Sequence, residues 1–547
     1  MSAKSFRIPV YNGFTSPFLP TPTEMANIRV MSRRGILPPD TFVLNRIITA
    51  APFELARYDL PIQTLQRELD RLIDERNILA SYASDCRSLL APVRRLSDEL
   101  LVEIFDLCRP WGLFEITENI TPAQEAARVS QRHLLQLAEV CCNWHRVITG
   151  TPRLWSVITL DTSVWDQCLA PYHKIIGSLE SSLRRGRDHH LTLRLAVSKD
   201  FHNKTLTRNV VNLLCSHAHR WRNVYIWSDD GPPQYLSLPS GKLGQLRILH
   251  LNVEWKSIDV FLEAPNLREL RFKGEVGNLP RLPWSQIQIC QYTGNNTNHA
   301  QLPLSSLLLA SNALEFTLCL DLREHVLPVA GDSTTSSHME TLTLHLAADD
   351  PNTTGRFFDA LTLPSLKSFD IEPLDDTDPL PIFPSQSFLA LANRSQFSTH
   401  LLRLKLHAIL SDADLLLCLG SLPRLEELVI VEARLSDDEM DSMAVITDTL
   451  LRALLVVDGI APLIPRLHYF DVTSRLEFSD SLFAAVVKAR IAHLKRLDDS
   501  MIFDICLWWE HGEPFRELSG EFIDYLTDLA SRDELLFSIA KLHTCVE

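Results

Sequence analysis

The stretch LPRLEELVIVE, from Leu422 to Glu432, decides the fold of the chain. Three of its leucines, at 422, 425 and 428, are three residues apart, and Ile430 follows two residues after the last. A step of two is the step of a β-strand, in which alternate side chains point to one face. The stretch therefore predicts a chain that turns a corner into the core and then continues as a short strand with its apolar side chains inward.

The same spacing recurs in six further segments of the chain, which read LGQLRILHLNVEW, APNLRELRFKG, METLTLHLA, LPSLKSFDIE, LLRLKLHA and IPRLHYFDVTS. A short unit that cannot bury its apolar face alone, but recurs in series, is typical of a leucine-rich repeat, in which neighbouring units stack into one core. The intervals between units vary, and helical fillers such as DADLLLCLGSLP separate some of them. We predict an irregular α/β leucine-rich-repeat solenoid over residues 161–500, whose extended surface suits the recognition of a target protein.

The tail that follows the repeats, residues 501–547, contains DICLWWEHGEPF and ELSGEFIDYLTDLA. We interpret it as a helical cap on the last repeat. Trp508 and Trp509 are then packing residues of the cap, and an exposed anchor for a partner is the alternative.

The N-terminal region divides into two segments. Residues 1–57 are rich in Pro, Ser and Thr, as in TSPFLPTPTE, and are predicted to be loosely ordered. Residues 58–91 have apolar residues in steps of three and four, which predicts a coiled-coil-like helix. Such a helix could form a homodimer or could dock on the rest of the chain, and both alternatives stay open. The apolar positions are Ile62, Leu65, Leu69, Leu72, Leu79, Ala83, Cys86 and Leu90.

Two further helices are predicted between residues 92 and 160. The first begins after Ser97, a natural N-cap, and has an apolar face in LSDELLVEIFDLC. After a polar insert, a second helical pattern begins near Thr121 and continues to Gly150 with apolar residues again in steps of three and four. Its stripe consists of Leu134, Leu137, Cys141, Trp144 and Ile148.

The adjacent cysteines of this second helix raise the question of a metal site, a redox pair or a nucleophile. Cys142 and His145 could share a helix face, but two ligands do not make a zinc site, and no second pair with metal spacing occurs in the sequence. Adjacent cysteines cannot form a relaxed disulfide within a helix. We therefore interpret Cys141 as a small apolar residue of the stripe.

The two helical segments together resemble the F-box. The start of that motif is matched by Leu96 and Glu99, although its usual proline is replaced by Ser97, and the connection between the two halves is longer than usual. The first helix is matched by Ile104 and Phe105. The second half is matched by Leu134, Leu135, Leu137, Val140, Cys141, Trp144, Ile148, Pro152, Leu154 and Trp155.

This resemblance implies a function without bond chemistry. An F-box is too small to bury its own apolar surface, and in the family its open face binds the small Skp-type adaptor of a cullin–RING ubiquitin ligase. The chain would then be the substrate-recognition subunit, with an unknown target held by the repeats. A repeat scaffold with a degenerate F-box, not coupled to ubiquitination, is the alternative. The adaptor-binding residues implied by the resemblance are Leu96, Leu100, Leu101, Ile104, Phe105, Leu134, Leu137, Val140 and Trp144.

Composition and motif content argue against several other classes of protein. The net charge of −15 argues against nucleic acid as the main ligand, although SLRRGRDHH, residues 182–190, is a local basic stretch for which a solvated turn is the alternative. No apolar run is long enough to span a bilayer, no secretory signal is recognised, and the odd number of cysteines, 11, is typical of a reduced compartment. No common catalytic motif occurs. We expect an α+β multi-domain protein of the cytoplasm or nucleus that is not an enzyme and has no cofactor, metal or membrane partner.

Overall fold

The structure is a computed structural model. It describes residues 16–36, 38, 41–108, 132–162, 172–197, 204–228, 241–253, 260–274, 281–294, 306–307, 309–322, 334–336, 338–347, 351–375, 380–432, 444–457, 462–498, 500–510 and 517–542. The chain forms two compact units, residues 1–100 and 101–547.

The first unit is helical. Helix α1 spans Pro22–Arg34 and helix α2 spans Thr41–Leu90, a length of 50 residues, followed by a 3₁₀ turn at Pro92–Arg95. No side chain of α2 is buried. The apolar stripe predicted over residues 58–91 lies on α2, where Ile62, Leu65, Leu69, Leu72 and Leu79 are exposed.

The segment predicted to be loosely ordered is helical over much of its described length, from residue 22 to 34 and again from residue 41. Helix α1 has a complete capping box, in which the Thr21 hydroxyl accepts the backbone N–H of Glu24 and the Glu24 carboxylate accepts that of Thr21. Pro22 is the first helical residue, where the fixed φ of proline costs nothing. The prolines that suggested disorder therefore include one that starts a helix. The structure likewise extends α2 well ahead of residue 58, past Pro52 and Pro61.

Helix α3, Asp98–Leu107, begins where Ser97 predicts, and the Ser97 hydroxyl accepts the backbone N–H of Leu100 at 3.5 Å. Two short helices follow in the second unit, α4 at Arg132–Ala138 and α5 at Cys142–Gly150, and they pack against each other. A 3₁₀ turn at Pro152–Trp155 then leads into the sheet.

The continuous helix predicted up to Gly150 is wrong, because the chain breaks between α4 and α5. Cys141 is extended, with φ −162° and ψ 164°, and its carbonyl accepts the N–H of His145 to open α5. Cys141 is therefore the residue that precedes α5 rather than a member of a helical stripe. No glycine or proline marks the break, so the apolar spacing continues across it unaltered.

The second unit is built on one sheet of 14 parallel strands, ordered as they occur in the chain. Its strands are β1 Val157–Asp161, β2 Leu191–Val197, β3 Trp221–Ser228, β4 Ile248–Val253, β5 Glu269–Gly274, β6 Ile289–Gly294, β7 Glu315–Asp321, β9 Thr341–Ala347, β11 Ser368–Pro373, β12 Arg403–Leu406, β13 Glu427–Val431, β14 Tyr469–Thr473, β15 Phe503–Glu510 and β16 Leu535–Leu542. A second, two-stranded sheet pairs β8, Thr334–Thr335, with β10, Leu361–Thr362.

Helices return the chain between many of these strands. They are α6 Tyr172–Arg185, α7 Lys204–Ser216, α8 Pro351–Asp359, α9 Ser385–Ser395, α10 Phe397–His400, α11 Asp412–Gly420, α12 Asp448–Leu454, α13 Asp480–Leu497 and α14 Gly520–Ser531. Parallel strands stacked in chain order, with helices between many of them, make a leucine-rich-repeat-like solenoid. The predicted solenoid is confirmed.

The leucine spacing places its side chains as predicted. In the stretch that begins at Leu422, the residues Leu422, Leu425 and Leu428 are fully buried, and Ile430 on β13 is buried as well. The equivalent residues of neighbouring strands pair in register, for example Leu428 with Leu404 on one side and with Phe470 on the other. One continuous core therefore extends from Ile158 to Leu535.

The predicted helical cap at residues 501–547 contains strands as well as a helix. Strands β15 and β16 continue the parallel sheet to residue 542, and α14 connects them. Trp509 points into the core, whereas the indole N–H of Trp508 donates to the Asp471 carboxylate of the neighbouring strand β14 at 3.0 Å. Alternation of side chains in FDICLWWE is the strand signal that the two tryptophans obscured.

A buried carboxylate ties two loops to the end of β13. Glu432 Oε1 accepts the backbone N–H groups of Val445 and Ile446 at 2.8 and 2.6 Å, and its Oε2 accepts that of Arg475 at 2.6 Å. Burial raises the pKa of the Glu432 carboxyl, and the three backbone donors act in the opposite direction.

We expect Glu432→Leu to lower the free energy of unfolding by about 3 kcal/mol, because it leaves two buried backbone donors and one partly buried donor without an acceptor. Glu432→Gln should cost roughly half as much, since its amide oxygen still accepts two of them. Urea unfolding of both variants measures this. Equal stability of Glu432→Leu and the wild type would contradict the role of the carboxylate.

Candidate protein-interaction surfaces

The helices α3 to α5 have an inner side that packs within the chain. Leu101, Phe105 and Leu134 are buried there, together with Leu154 and Trp155 of the following 3₁₀ turn. The Trp155 indole N–H donates to the carbonyl of Ile148 at 2.7 Å, which satisfies its only polar atom inside the core.

An ion pair fixes the end of α3 to the same turn. The Arg153 guanidinium contacts the carboxylates of Glu103 and Asp106, the latter at 2.9 Å. The hydrogen bond that Arg153 donates to Glu103 is the largest cause of the raised pKa of Arg153. This surface pair adds little stability by itself, but it holds α3 in one position relative to the turn.

The outer side of the same helices presents apolar residues to solvent. Ile104 is 40% exposed, Leu107 74% and Val140 61%, and Leu135 is exposed as well. The repeat region from Val157 onward is far longer, yet its described residues contain only eight exposed large apolar side chains. Relative to the repeat region, α3 to α5 therefore expose many apolar side chains for their length, which is typical of a surface that binds another protein.

The nine residues implied as adaptor contacts fall into three groups. Leu101, Phe105 and Leu134 are buried in the chain itself, so they support the face from within. Leu96, Leu137 and Trp144 are partly buried. The remaining three, Leu100, Ile104 and Val140, are exposed.

Trp144 is partly buried and contacts the buried Phe105. Its ring centroid lies 4.9 Å from that of Phe105, and the rings meet edge to face at 63°. Such a contact orients the indole while leaving part of it open. The sequence did not identify Leu107 as an exposed residue, because it belongs to the last turn of α3 and to no motif position.

The cysteines near this face do not form a cluster that could hold a metal. Cys141 is partly buried, Cys142 is exposed, and no group of three or more His, Cys, Asp or Glu residues with metal geometry is found among the described residues. Within the solenoid, burial raises the pKa of the Cys418 thiol to about 12, so it stays protonated at neutral pH.

The sheet has an open face formed by the side chains that alternate with the core residues. On strands β2 to β5 this face is aromatic and basic, and it includes Arg194, Tyr225, Trp227, His250 and Arg271. Tyr225 and Trp227 stack at 6.1 Å with 7° between their planes. The Arg194 guanidinium lies 5.3 Å from the Tyr225 ring, and the His250 ring meets it edge-on at 4.5 Å.

The strands that follow carry acidic groups on the same face. Asp370, Asp471 and Asp504 occupy positions that alternate with core residues on β11, β14 and β15. Burial raises the pKa of all three carboxyls. The open face is therefore basic and aromatic near the beginning of the sheet. From β11 onward it carries these carboxyl groups together with Arg403 and Lys405 of β12, which pair with Asp370 and Glu372.

A scan of protein-family models and a search of curated proteins find no match to the chain. Among solved structures, the chain is similar to a protein described as a TLR13–ssRNA13 complex, at 13% sequence identity and a TM-score of 0.33. The match covers 65% of this chain and 45% of the other, so the chain spans less than half the length of that protein. The likeness is too distant to bear on ligand or partner. None of the described helices combines the length and the apolar character that crossing a bilayer requires.

Proposed function

We propose that the chain is the substrate-recognition subunit of a Skp–cullin–F-box-type ubiquitin ligase. In this proposal α3 to α5 bind the Skp-type adaptor, and through it a cullin, while the solenoid binds a target protein. The mechanism is proximity, because two binding surfaces on one chain raise the effective concentration of the target at the ligase. The chain performs no bond chemistry.

The observation that carries the proposal is the exposure of Ile104 and Val140 at positions that resemble adaptor contacts. Leucine, isoleucine and valine side chains are usually withdrawn from water, and an exposed group of them is stabilised when a partner covers it. In this proposal the buried residues Leu101, Phe105 and Leu134 would not contact the adaptor and would only support the helices that present the face.

A repeat scaffold with a degenerate F-box is the second candidate. Two observations favour it: three of the nine implied contact residues are buried in the chain itself, and Ser97 replaces the usual proline. In this alternative the solenoid still binds a partner protein, but no ligase is recruited.

Binding of the purified full chain to a recombinant Skp-type adaptor tests the choice. We expect a 1:1 complex in size-exclusion chromatography and a dissociation constant in roughly the micromolar range or tighter by calorimetry. Absence of a complex would leave the scaffold as the function, because the adaptor interaction is the step that the two candidates do not share.

Helix α2 supplies a further part of the proposal. Its exposed stripe of Ile62, Leu65, Leu69, Leu72 and Leu79 has the spacing of a coiled-coil seam, which would pair two copies of the chain. Light scattering of the full chain and of a Leu65→Glu/Leu72→Glu variant separates the outcomes. A dimeric wild type and a monomeric variant would support pairing, and a monomeric wild type would exclude it.

A further inference from the structure

We propose that the strand-start edge of β3 to β5 binds a short acidic segment of a partner protein through a ladder of three arginines, Arg222, Arg247 and Arg268. The inference rests on the proposed function in one respect: it identifies the partner that carries the acidic segment as the target of the ligase. Binding of the segment itself requires neither an adaptor nor a ligase.

The ladder is built by the backbone of the sheet. The N–H of Arg247 donates to the carbonyl of Arg222 at 2.8 Å, and the N–H of Arg268 donates to the carbonyl of Arg247 at 2.9 Å. The three residues therefore occupy the same position on adjacent strands, immediately ahead of the paired residues Asn223, Ile248 and Glu269. Neighbouring strands are about 4.8 Å apart, so the ladder extends over roughly 10 Å.

Arginine at this position is not required by the fold. The same row of hydrogen bonds continues along the sheet, and each later residue donates its N–H in the same way. These later positions are occupied by apolar, polar, acidic and basic residues, so the backbone hydrogen bonds do not require arginine. They are Gln288, Leu314, Glu340, Lys367, Leu402, Glu426 and His468.

The ladder lines a depression of about 580 Å³. Four arginines contribute to its wall, the three of the ladder and Arg153, against two carboxylates, Asp106 and Glu269. A concave surface with an excess of one charge focuses the field and attracts ligands of the opposite charge. The excess is local, since the whole chain is acidic, with a net charge of −15.

Both carboxylates of the depression already have cationic partners. Asp106 contacts the Arg153 guanidinium, and Glu269 contacts the Arg271 guanidinium at 3.0 Å. The Glu269 carboxylate also lies within hydrogen-bond distance of the His250 ring, at 3.0 Å. Over the described ranges of the chain, the exposed side chains of Arg222 and Arg247 form neither an ion pair nor a hydrogen bond. Arg268 is held in place by its Nη1, which donates to the carbonyls of Leu267 and Gln286 at 3.2 and 3.3 Å.

The basic stretch at residues 182–190 lies at the same depression. His189 and His190 line it, and partial burial, followed by the charge of Arg222, lowers the pKa of His190. The buried Arg220 holds this turn in place by donating to the carbonyls of His189 and Leu183 at 3.0 and 3.1 Å. The turn is therefore a fixed wall of the depression rather than a freely solvated loop.

The neighbouring open face favours a polypeptide over a nucleic acid. Nucleic-acid surfaces present aromatic rings on which bases stack. Here Tyr225 is already stacked on Trp227 and contacted by Arg194 and His250, so its faces are occupied. An extended peptide repeats its side chains on one face about every 6.6 Å, so two acidic residues at i and i+2 would both fall within the roughly 10 Å length of the ladder.

Fluorescence anisotropy of the full chain with labelled peptides tests the inference. The probes are peptides of equal length that contain alternating glutamates, phosphoserines at the same positions, or serine and glutamine only, and a single-stranded RNA of similar length. The two acidic peptides distinguish carboxylate from phosphoryl groups as the source of charge.

The test variant is Arg222→Glu/Arg247→Glu. The matched control is Arg356→Glu/Arg424→Glu, which changes the net charge equally at exposed arginines outside the depression.

We expect at least one acidic peptide to bind at least 10-fold more tightly than the neutral peptide. The ladder variant should lose at least 10-fold of that affinity, and the control variant should stay within 2-fold of the wild type. Equal binding of acidic and neutral peptides, equal losses in both variants, or tighter binding of the RNA would each overturn the inference. The ladder variant should bind a Skp-type adaptor as the wild type does, so failure of this inference and failure of the proposed function are measured separately.

Discussion

Replacement of Ile104 by aspartate is expected to weaken binding of a Skp-type adaptor by at least about 100-fold, which corresponds to about 3 kcal/mol. Ile104 is exposed on α3, and an adaptor that covers the side chain would have to withdraw the new carboxylate from water without a partner. Val140→Asp, at the junction of α4 and α5, should have the same effect. Calorimetry with the purified full chain measures both.

Leu417→Asp is the matched control for these variants. Leu417 is an exposed leucine in the middle of α11, so its replacement introduces the same charge into a helix of similar length. It should leave adaptor binding unchanged, and thermal unfolding should show that all three variants fold. If Ile104→Asp and Val140→Asp bound the adaptor as tightly as Leu417→Asp does, α3 to α5 would not be the adaptor surface.

The second large effect is expected at Arg490, which is fully buried on α13. Its guanidinium donates four hydrogen bonds to three carbonyls, those of Leu454, Leu463 and Ile464, at 2.6 to 3.0 Å. Burial lowers the pKa of the guanidinium to about 10, so it is still charged at neutral pH. The four bonds offset the cost of withdrawing that charge from water.

We expect Arg490→Leu to lower the free energy of unfolding by about 3 to 5 kcal/mol, because two buried carbonyls and one partly buried carbonyl lose their donors. Arg490→Lys should cost less, since an ammonium can still donate to some of them. Chemical denaturation measures the loss, and hydrogen exchange should show it first at α12 and β14. An Arg490→Leu protein as stable as the wild type would show that the carbonyls are satisfied in another way.

The sequence predicted the solenoid well because its signal is local and repeated. In LPRLEELVIVE and LPSLKSFDIE, leucines three apart and a final alternating pair are enough to place each side chain in the core. The C-terminal strands were harder, because FDICLWWE alternates without the preceding leucines and its tryptophans suggested a cap. The early helix α1 was hidden by Pro22, which is as typical of a helix start as of a loop.

The interaction surfaces could be predicted only in part. The spacing of apolar residues identifies the helices α3 to α5, but it does not show which of their apolar side chains are buried. Phe105 is buried and Ile104 is exposed, although both belong to the same apolar face of α3. The arginine ladder is invisible in the sequence, where Arg222, Arg247 and Arg268 are more than twenty residues apart. Only the strand pairing brings them into one row.

The order of the strands sets the distance between the two proposed binding surfaces. Strand β1 closely follows the helices proposed to bind the Skp-type adaptor, and the first arginine of the ladder, Arg222, lies on β3, two strands further along. Each strand adds about 4.8 Å, so a bound acidic segment would be held some 10 Å along the stack from β1. Insertion or loss of one repeat between them would move the captured protein by one such step, and with it the choice of lysines within reach of ubiquitin transfer.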